Sequence, residues 1–391
     1  MVPLPFAPAE YETRLTKIRR EMSKRGLDLL IVNDVANQHY ITGYDGWSFY
    51  TPQMVLVPVA GEPVWIGRAM DAAGGRLTAW MKTENIVGFP EDHVQQPDRH
   101  PMDWIGQWIV AKGWGRGRIG IELEAYYYSA KAHARLTAAL PNAQFVDADL
   151  LVNWIRAIKS PAEITYLRQG ARLAEAAVQK AYDVIEPGVR ECDAVAAIQL
   201  AQYGGHPDFA GDITALPPTI LAGENASAPH IMWSDRRFAK GETVALELAG
   251  ACRRYTAGLA RTLQLGSKPP RVADVENAVL EGMDAVLGAM APGVFAHDVE
   301  AAWRGAIGRR GLKKESRIGY SIGVAYPPDW GEHTISLRQG DRTVLERGHV
   351  LHAILGMWMD GWGIEISETV LVTEAGCETL TNLPRDIFVK S

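Results

Sequence analysis

Cysteine is scarce in this chain: three in 391 residues, at Cys192, Cys252 and Cys377, with no Cys-x-x-Cys. An odd number spaced so widely excludes a disulfide framework and a thiolate zinc site, and reads as reduced thiols. No apolar run reaches the length of a bilayer span, so no membrane association is expected. Positive charge is not in excess either. The 40 Lys and Arg stand against 46 Asp and Glu, a net charge of −6 that argues against a nucleic-acid partner. The opening stretch, MVPLPFAPAEYETRLTKIRREM, lacks the layout of a signal peptide, and a cytoplasmic protein is expected. Asn225-Ala-Ser is a formal glycosylation acceptor that has no meaning without export.

What is present is an ordinary globular composition, 47% hydrophobic and 22% charged, on a chain long enough for two domains. The first part alternates helix and strand. Tyr11 to Arg25 is amphipathic and stops at Gly26; LDLLIVND reads as a buried strand; QMVLVPVAGEPVWIG reads as two strands joined at Ala60-Gly61. A helix over PMDWIGQWIVAKG, a strand at RIGIELE, a helix over YYYSAKAHARLTAAL and QFVDAD complete a small α/β domain, assigned to residues 1–154.

Beyond it, Ser160-Pro161 caps a long helix that carries Glu163 in its first turn and ends at Pro187-Gly188. A second long helical run covers 270–292 and also ends in proline and glycine. IEPGVRECDAV and MAPGVFAHDVEAA read as an internal repeat of helix, Pro-Gly, short helix and strands. Two related halves over 155–391 would leave a cleft between them.

In VALELAGACRRYTAGLARTLQLG, Val244, Leu246 and Leu248 face one side of a strand, and Ala245, Glu247 and Ala249 the other. A lone carboxylate in such a strand costs several kcal/mol or shifts its pKa. It binds a metal, binds a substrate, or pairs with Arg253, Arg254 or Arg261.

The phrases IKSPAEI, ENASAPHIMWSDRRFAKGETVALELAG, GYSIG and ISETVLVTEAGCETLT, in this order, resemble the pita-bread hydrolases, the family of Xaa-Pro and methionine aminopeptidases and creatinase. NDVANQHYITGYDG extends the resemblance to a creatinase-type N-terminal domain. The implied fold is α/β, with that small domain followed by a pita-bread domain of pseudo-twofold halves. The five metal-ligand positions of the family's peptidases fall on Glu247, Gly258, Tyr320, Ile354 and Ser367. Glycine and isoleucine offer no donor, so no metal and no other cofactor are expected.

Loss of the metal points to the family's metal-free members. A glutamate at Glu247 and a histidine at His230 resemble creatinase, whereas Tyr320 and Ser367 stand where creatinase has histidines. RIGYSIGVAYPPDWGEHTISLRQGD and GMWMDGWGIEISET resemble more closely the ectoine hydrolases, which open a cyclic amidine to N-acetyl-2,4-diaminobutyrate. The implied substrate is ectoine, with acceptance of 5-hydroxyectoine left open. The alternatives are a creatinase-like amidinohydrolase and an inactive binding protein of the same fold.

On this resemblance Glu247 attacks the amidine carbon or deprotonates a water that does. His230, on the loop before its strand, protonates the departing nitrogen, and Tyr320 donates a hydrogen bond to the tetrahedral centre or the substrate carboxylate. Glu365, on the same face as Ser367, is a second carboxylate for a ring nitrogen. Tyr326, Trp330, Trp358, Trp362 and Phe209 lie in polar, glycine-rich stretches read as loops and are expected around the cation, with core packing as the alternative. Tyr40, Tyr44 and Trp47 belong to a contact loop or a buried turn. The resemblance implies a homodimer in which this loop closes the partner's site.

Overall fold

The computed structural model describes residues 3–391 and divides into two compact units, one ending at Arg156 and the other beginning at Ala157. The first contains helices α1 (Pro8–Lys24), α2 (Val35–Thr42), α3 (Ala72–Thr78), α4 (Pro101–Ala111), α5 (Ala130–Ala139) and α6 (Leu151–Arg156). Its strands are β1 (Leu29–Val32), β2 (Met54–Pro58), β3 (Val64–Arg68), β4 (Ile86–Phe89), β5 (Gly117–Ile121) and β6 (Ala143–Asp147), in the order β4-β3-β2-β1-β5-β6. The central strands are apolar on both faces, as a sheet covered by helices requires.

Helix α2 covers much of the segment expected to form a loop or turn. The Asp34 side chain accepts the Asn37 amide at 2.8 Å and Gly43 ends the helix at φ 71. An N-cap and a left-handed stop on either side of eight residues are sufficient to define it.

The second unit opens with α7 (Pro161–Val184), whose Ser160–Glu163 capping box forms as its sequence predicts. Such a box stabilises a helix by about 1 kcal/mol. The other Glu163 oxygen accepts the Tyr255 hydroxyl at 2.8 Å, which ties the helix start to the sheet. There follow α8 (Glu191–Gly204), β7 (Thr219–Ala222), β8 (Thr243–Cys252) and β9 (Tyr255–Leu265). The second half repeats the pattern with α9 (Pro270–Ala289), α10 (Ala296–Gly308), β10 (Gly319–Tyr326), β11 (Asp329–Ser336), β12 (Val350–Met359) and β13 (Trp362–Val372). Short strands β14 (Cys377–Thr379) and β15 (Phe388–Lys390) finish it.

The sheet runs β14-β13-β12-β10-β9-β8-β7, with β11 on β10 and β15 on β9. One face carries two helical layers. Val244, Leu246, Leu248, Leu259 and Leu263 pack with α7 and α8, while Leu351, Leu355, Ile364 and Ile366 pack with α9 and α10. Helix α7 lies so close that a Cβ on Gly170 would meet the Gly250 carbonyl at 2.9 Å. The alternate positions of the same strands point to the opposite face. The stretches around Trp330 and Trp358, expected as loops, are the paired strands β10–β11 and β12–β13.

Candidate active site

The non-helical face of the second unit carries the candidate residues because strand parity places them there. Glu247 pairs across β8–β9 with Ala260, Tyr320 across β10–β12 with His352, and Ile354 and Gly356 on β12 with Ser367 and Glu365 on β13. Three contacts bring β13 against β9. Ser367 Oγ accepts the Ala260 amide at 2.6 Å, the Thr262 hydroxyl lies 2.9 Å from the Glu365 carbonyl, and the Thr369 hydroxyl donates to the Gly258 carbonyl at 2.8 Å. Glu247 and Glu365, far apart in the chain, thereby share one electrostatic environment.

Two of the three alternative partners of Glu247 are occupied elsewhere. Arg261 binds Glu368 at 2.8 Å, and Arg254 binds Asp212 at 3.1 Å. Arg253 and Arg254 form the β8–β9 hairpin turn with φ 50 and 69, and Asp212 also accepts the Arg254 amide at 3.0 Å. Two positive-φ residues suit the twist of a two-residue hairpin. The Glu247 carboxylate takes no ion pair from them.

Burial, and then the charge of Asp329, raise Glu247 from 4.5 to about 7. Burial and the charge of Glu247 raise Glu365 well above the ordinary carboxylate range, against the opposing pull of Lys314. Two carboxylates in one low-dielectric space cannot both ionise freely, so their protonation states separate. Glu365, fully enclosed, retains its proton; Glu247, partly open, is the carboxylate that ionises near neutrality.

Tyr320 is half-buried, and its hydroxyl accepts the Trp330 indole N–H at 2.7 Å. Burial, then Glu247, raise its pKa, so the phenol stays protonated and available as a donor. The His352 ring stands edge-on to both Tyr320 and Trp330, with centroids 5.7 and 5.8 Å apart. Its Nε2 lies 2.7 Å from Ser367 Oγ, and burial lowers its pKa to about 3, which keeps it neutral.

The family's metal site does not fit these residues. Only Glu247 of the five positions supplies a carboxylate, and a Cβ at Gly258 would meet the His352 ring at 2.9–3.1 Å. An aromatic ring thus fills the space into which a ligand side chain would project. Among the described residues no group of three or more His, Cys, Asp or Glu converges in a way that could hold a metal ion.

The remaining candidates divide. Trp330 is buried against Tyr320, and Tyr326 is buried with the Arg254 guanidinium 5.0 Å from its ring. Trp358 is half-buried on the same face as Glu365, against the cluster of Leu221, Ala226 and Ala245. Trp362 is a correction: odd positions of β13 carry Glu365 and Ser367, so Trp362 points with Ile364 and Ile366 into the helical core. Phe209 stacks on His206 at 4.7 Å in an exposed loop, outside the cluster.

His230 occupies an exposed turn at φ 69, with Ile231, Met232 and Trp233 exposed beside it, and joins none of these contacts. Tyr40 and Tyr44 are buried within the N-terminal unit. The Arg14 guanidinium lies 4.2 Å from the Tyr40 ring, and Tyr44 packs on Trp65 at 4.9 Å. Trp47 is partly buried beside Phe49 and Tyr127.

Three charged groups escape a reading of the sequence. Asp329 begins β11, accepts the Gly331 amide at 2.9 Å and lies 2.6 Å from His333 Nε2. Its stretch, DWGEH, is legible as polar and aromatic, but its charge acts on Glu247 only once β11 folds back on β10. Lys314 donates to the Gly356 carbonyl at 2.6 Å, directly across the strand pair from Glu365, with its ammonium 5.8 Å from the Trp358 ring. A cavity of about 590 Å³ lined by Lys314, Gly356, Trp358 and Asp360 lies next to this pair. Arg317 sits 4.3 Å over the Tyr320 ring. No sequence periodicity marks either cation, since both belong to the connection entering β10.

Residues 165–374 match metallopeptidase family M24, and residues 14–158 match the creatinase/prolidase N-terminal domain. The chain is 45% identical to the ectoine hydrolase of Halomonas elongata, covering 100% of this chain and 99% of that protein. It is 42% identical to an uncharacterised hydrolase/peptidase of Sinorhizobium fredii, with 99% of each covered. Among solved structures, the X-Pro aminopeptidase of Thermotoga maritima superposes with a TM-score of 0.80 at 21% identity, covering 96% of this chain and 99% of that one. The prolidase of Thermococcus sibiricus superposes with a TM-score of 0.83 at 19% identity, covering 97% and 99%.

Proposed function

Because the chain belongs to metallopeptidase family M24 with a creatinase-type N-terminal domain, yet lacks that family's ligands, we propose that it hydrolyses ectoine without a metal. The observation that carries the reading is the pair Glu247–Glu365, two carboxylates that strand register sets on the one sheet face where Gly258 and Ile354 supply no metal donor. The full-length similarity to the ectoine hydrolase of Halomonas elongata supports the choice of substrate.

Ectoine presents a delocalised amidinium ring and a carboxylate. The ring cation is drawn to Glu247, and the charge-assisted contact favours the ionised form of that carboxylate. Glu247 then delivers the nucleophile to C2, as its own oxygen or as a water it deprotonates. C2 becomes tetrahedral. One C2–N bond breaks as that nitrogen takes the proton of Glu365, and the other nitrogen keeps the acetyl carbon as an amide. After addition of one water the product is N-acetyl-L-2,4-diaminobutyrate. The Tyr320 phenol is the donor facing the developing centre.

Glu365 replaces His230 as the proton donor in this scheme, since it shares the environment of Glu247 and His230 lies in an exposed turn. Trp330, Tyr326 and Trp358 supply the aromatic walls. The reading includes a cytoplasmic homodimer, supported by the family resemblance and by the exposed Phe49 and Tyr50 next to Trp47. No helix among the described residues is long and apolar enough to cross a membrane.

The test is proton NMR of ectoine mixed with chelator-treated protein. Conversion of the ring signals to those of N-acetyl-2,4-diaminobutyrate is expected. Unchanged ectoine, with and without restored manganese or cobalt, overturns the assignment; release of urea from creatine would place the activity with creatinase.

A further inference from the structure

The site as described binds a cation: two carboxylates, a phenol and aromatic walls. It contains no obvious partner for an acid group on the substrate. The cations near the cluster are largely committed. Lys314 is tied to the Gly356 carbonyl and acts on Glu365, Arg254 is paired with Asp212, and Arg261 with Glu368. Arg317 is different. It is exposed, it has no carboxylate partner among the described residues, and its guanidinium sits 4.3 Å over the ring of Tyr320.

That ring is a fixed platform, because the Trp330 indole binds its hydroxyl and the His352 ring abuts it edge-on. A guanidinium over an aromatic face keeps its N–H fork free for a planar anion, and the contact removes part of the side chain's rotamer freedom before binding. Glu247 acts on the hydroxyl end of the same ring. In a ring such as ectoine the carboxylate carbon is three bonds from the amidine carbon. The anion site must therefore lie within about one aromatic ring's width of the attacking group. Tyr320 spans that interval, with the anionic Glu247 influencing one part and the cationic Arg317 the other.

Resting on the ectoine reading, we propose that Arg317 binds the substrate carboxylate at the mouth of the site, and so selects zwitterionic cyclic amidines over amidinium rings that lack the acid group. The carboxylate pair takes the ring; Arg317 sets which end of the ring enters first.

The test compares wild type, Arg317→Lys and Arg317→Met on ectoine and on 2-methyl-1,4,5,6-tetrahydropyrimidine, the same ring without its carboxylate. For ectoine, Arg317→Met is expected to raise KM about 10–100-fold with a smaller change in kcat, the range of a charge-assisted hydrogen-bonded pair. Arg317→Lys retains part of the affinity. Wild type should lose a similar factor on the carboxylate-free ring, on which Arg317→Met causes no further loss. An unchanged KM for ectoine in Arg317→Met overturns the proposal alone. Equal losses on both rings overturn it too, since they indicate support of Tyr320 in place of anion recognition. Wild type inert towards ectoine overturns the parent reading, and this one with it.

Discussion

The substitution Asp329→Asn removes one charge and keeps the side chain's shape. The carbonyl oxygen of the new amide can still accept the Gly331 N–H that Asp329 accepts at 2.9 Å, so the entry to β11 is preserved. Glu247 stands at about 7 against 4.5 for a free glutamate, which corresponds to roughly 3 kcal/mol in favour of its protonated form. Burial is the larger cause and Asp329 the second. Removing the second leaves the first, so the substitution should lower the Glu247 pKa by about one unit and not return it to 4.5. In the proposed scheme hydrolysis needs Glu247 ionised, so kcat/KM on the acid limb rises with that fraction. The variant should therefore outperform wild type on the acid side, by up to about tenfold below the wild-type limb, and converge with it at neutral pH. The assay is the initial rate of N-acetyl methyl appearance by proton NMR at limiting ectoine across the acid and neutral range. An acid limb that stays in place, or moves to higher pH, refutes the assignment of that limb to Glu247 under the field of Asp329.

Glu365→Gln keeps a polar group of the same size but cannot release a proton, so kcat should fall about 10²–10⁴-fold with KM changed far less; a loss confined to KM would make Glu365 a binding residue only. His352 and His349 are held neutral, at about 3 and about 4, by burial first and for His349 by Lys159 as well. Both bind fewer protons folded than unfolded. Their contribution is complete above about 6.5 and is lost as the pH falls toward 4 and 3, about 1.4 kcal/mol per group for each pH unit. Urea melts should show this acid slope, and His352→Asn should lose about half of it; an unchanged slope would place the cause elsewhere. Glu368→Gln leaves Arg261 buried without its counter-charge, at 0% exposure, and should cost about 3–5 kcal/mol in a denaturant melt. A near-wild-type midpoint would mean that the surrounding carbonyls satisfy Arg261 by themselves.

Much of the architecture is written in local signals. The Ser160–Glu163 box starts its helix because the two side chains that close it lie one helical turn apart. The Pro-Gly repeat marks two halves because each long helix needs the same kind of stop. Glu247 stands out because strand alternation isolates it among alanines. The same alternation applies to Trp362, which lies an odd number of positions from Glu365 and therefore faces the helices. Its glycine-rich surroundings suggest a loop, where parity carries no weight, whereas the stretch is continuous strand. Tyr40 lies in a short helix whose cap, Asp34, and stop, Gly43, are visible in the sequence but surround no amphipathic period, since every residue of α2 is buried.

The long capped helices, the Glu247 strand and the chemical identity of the donors are properties of neighbouring residues and were legible in the chain alone, whereas helix α2 and the strands around Trp330 and Trp358 were not. The chain alone also determined that a dinuclear metal site is chemically impossible at these positions, because glycine and isoleucine have no donor atoms wherever they are placed. The tertiary structure decided the rest. His352 fills the space above Gly258, Asp329 bears on Glu247, Lys314 holds the Gly356 carbonyl and acts on Glu365, and Arg317 rests on Tyr320. Each is a relation between residues brought together by strand register and chain return. Electrostatic and packing forces depend on distance in space, so only the fold could say which glutamate carries the proton.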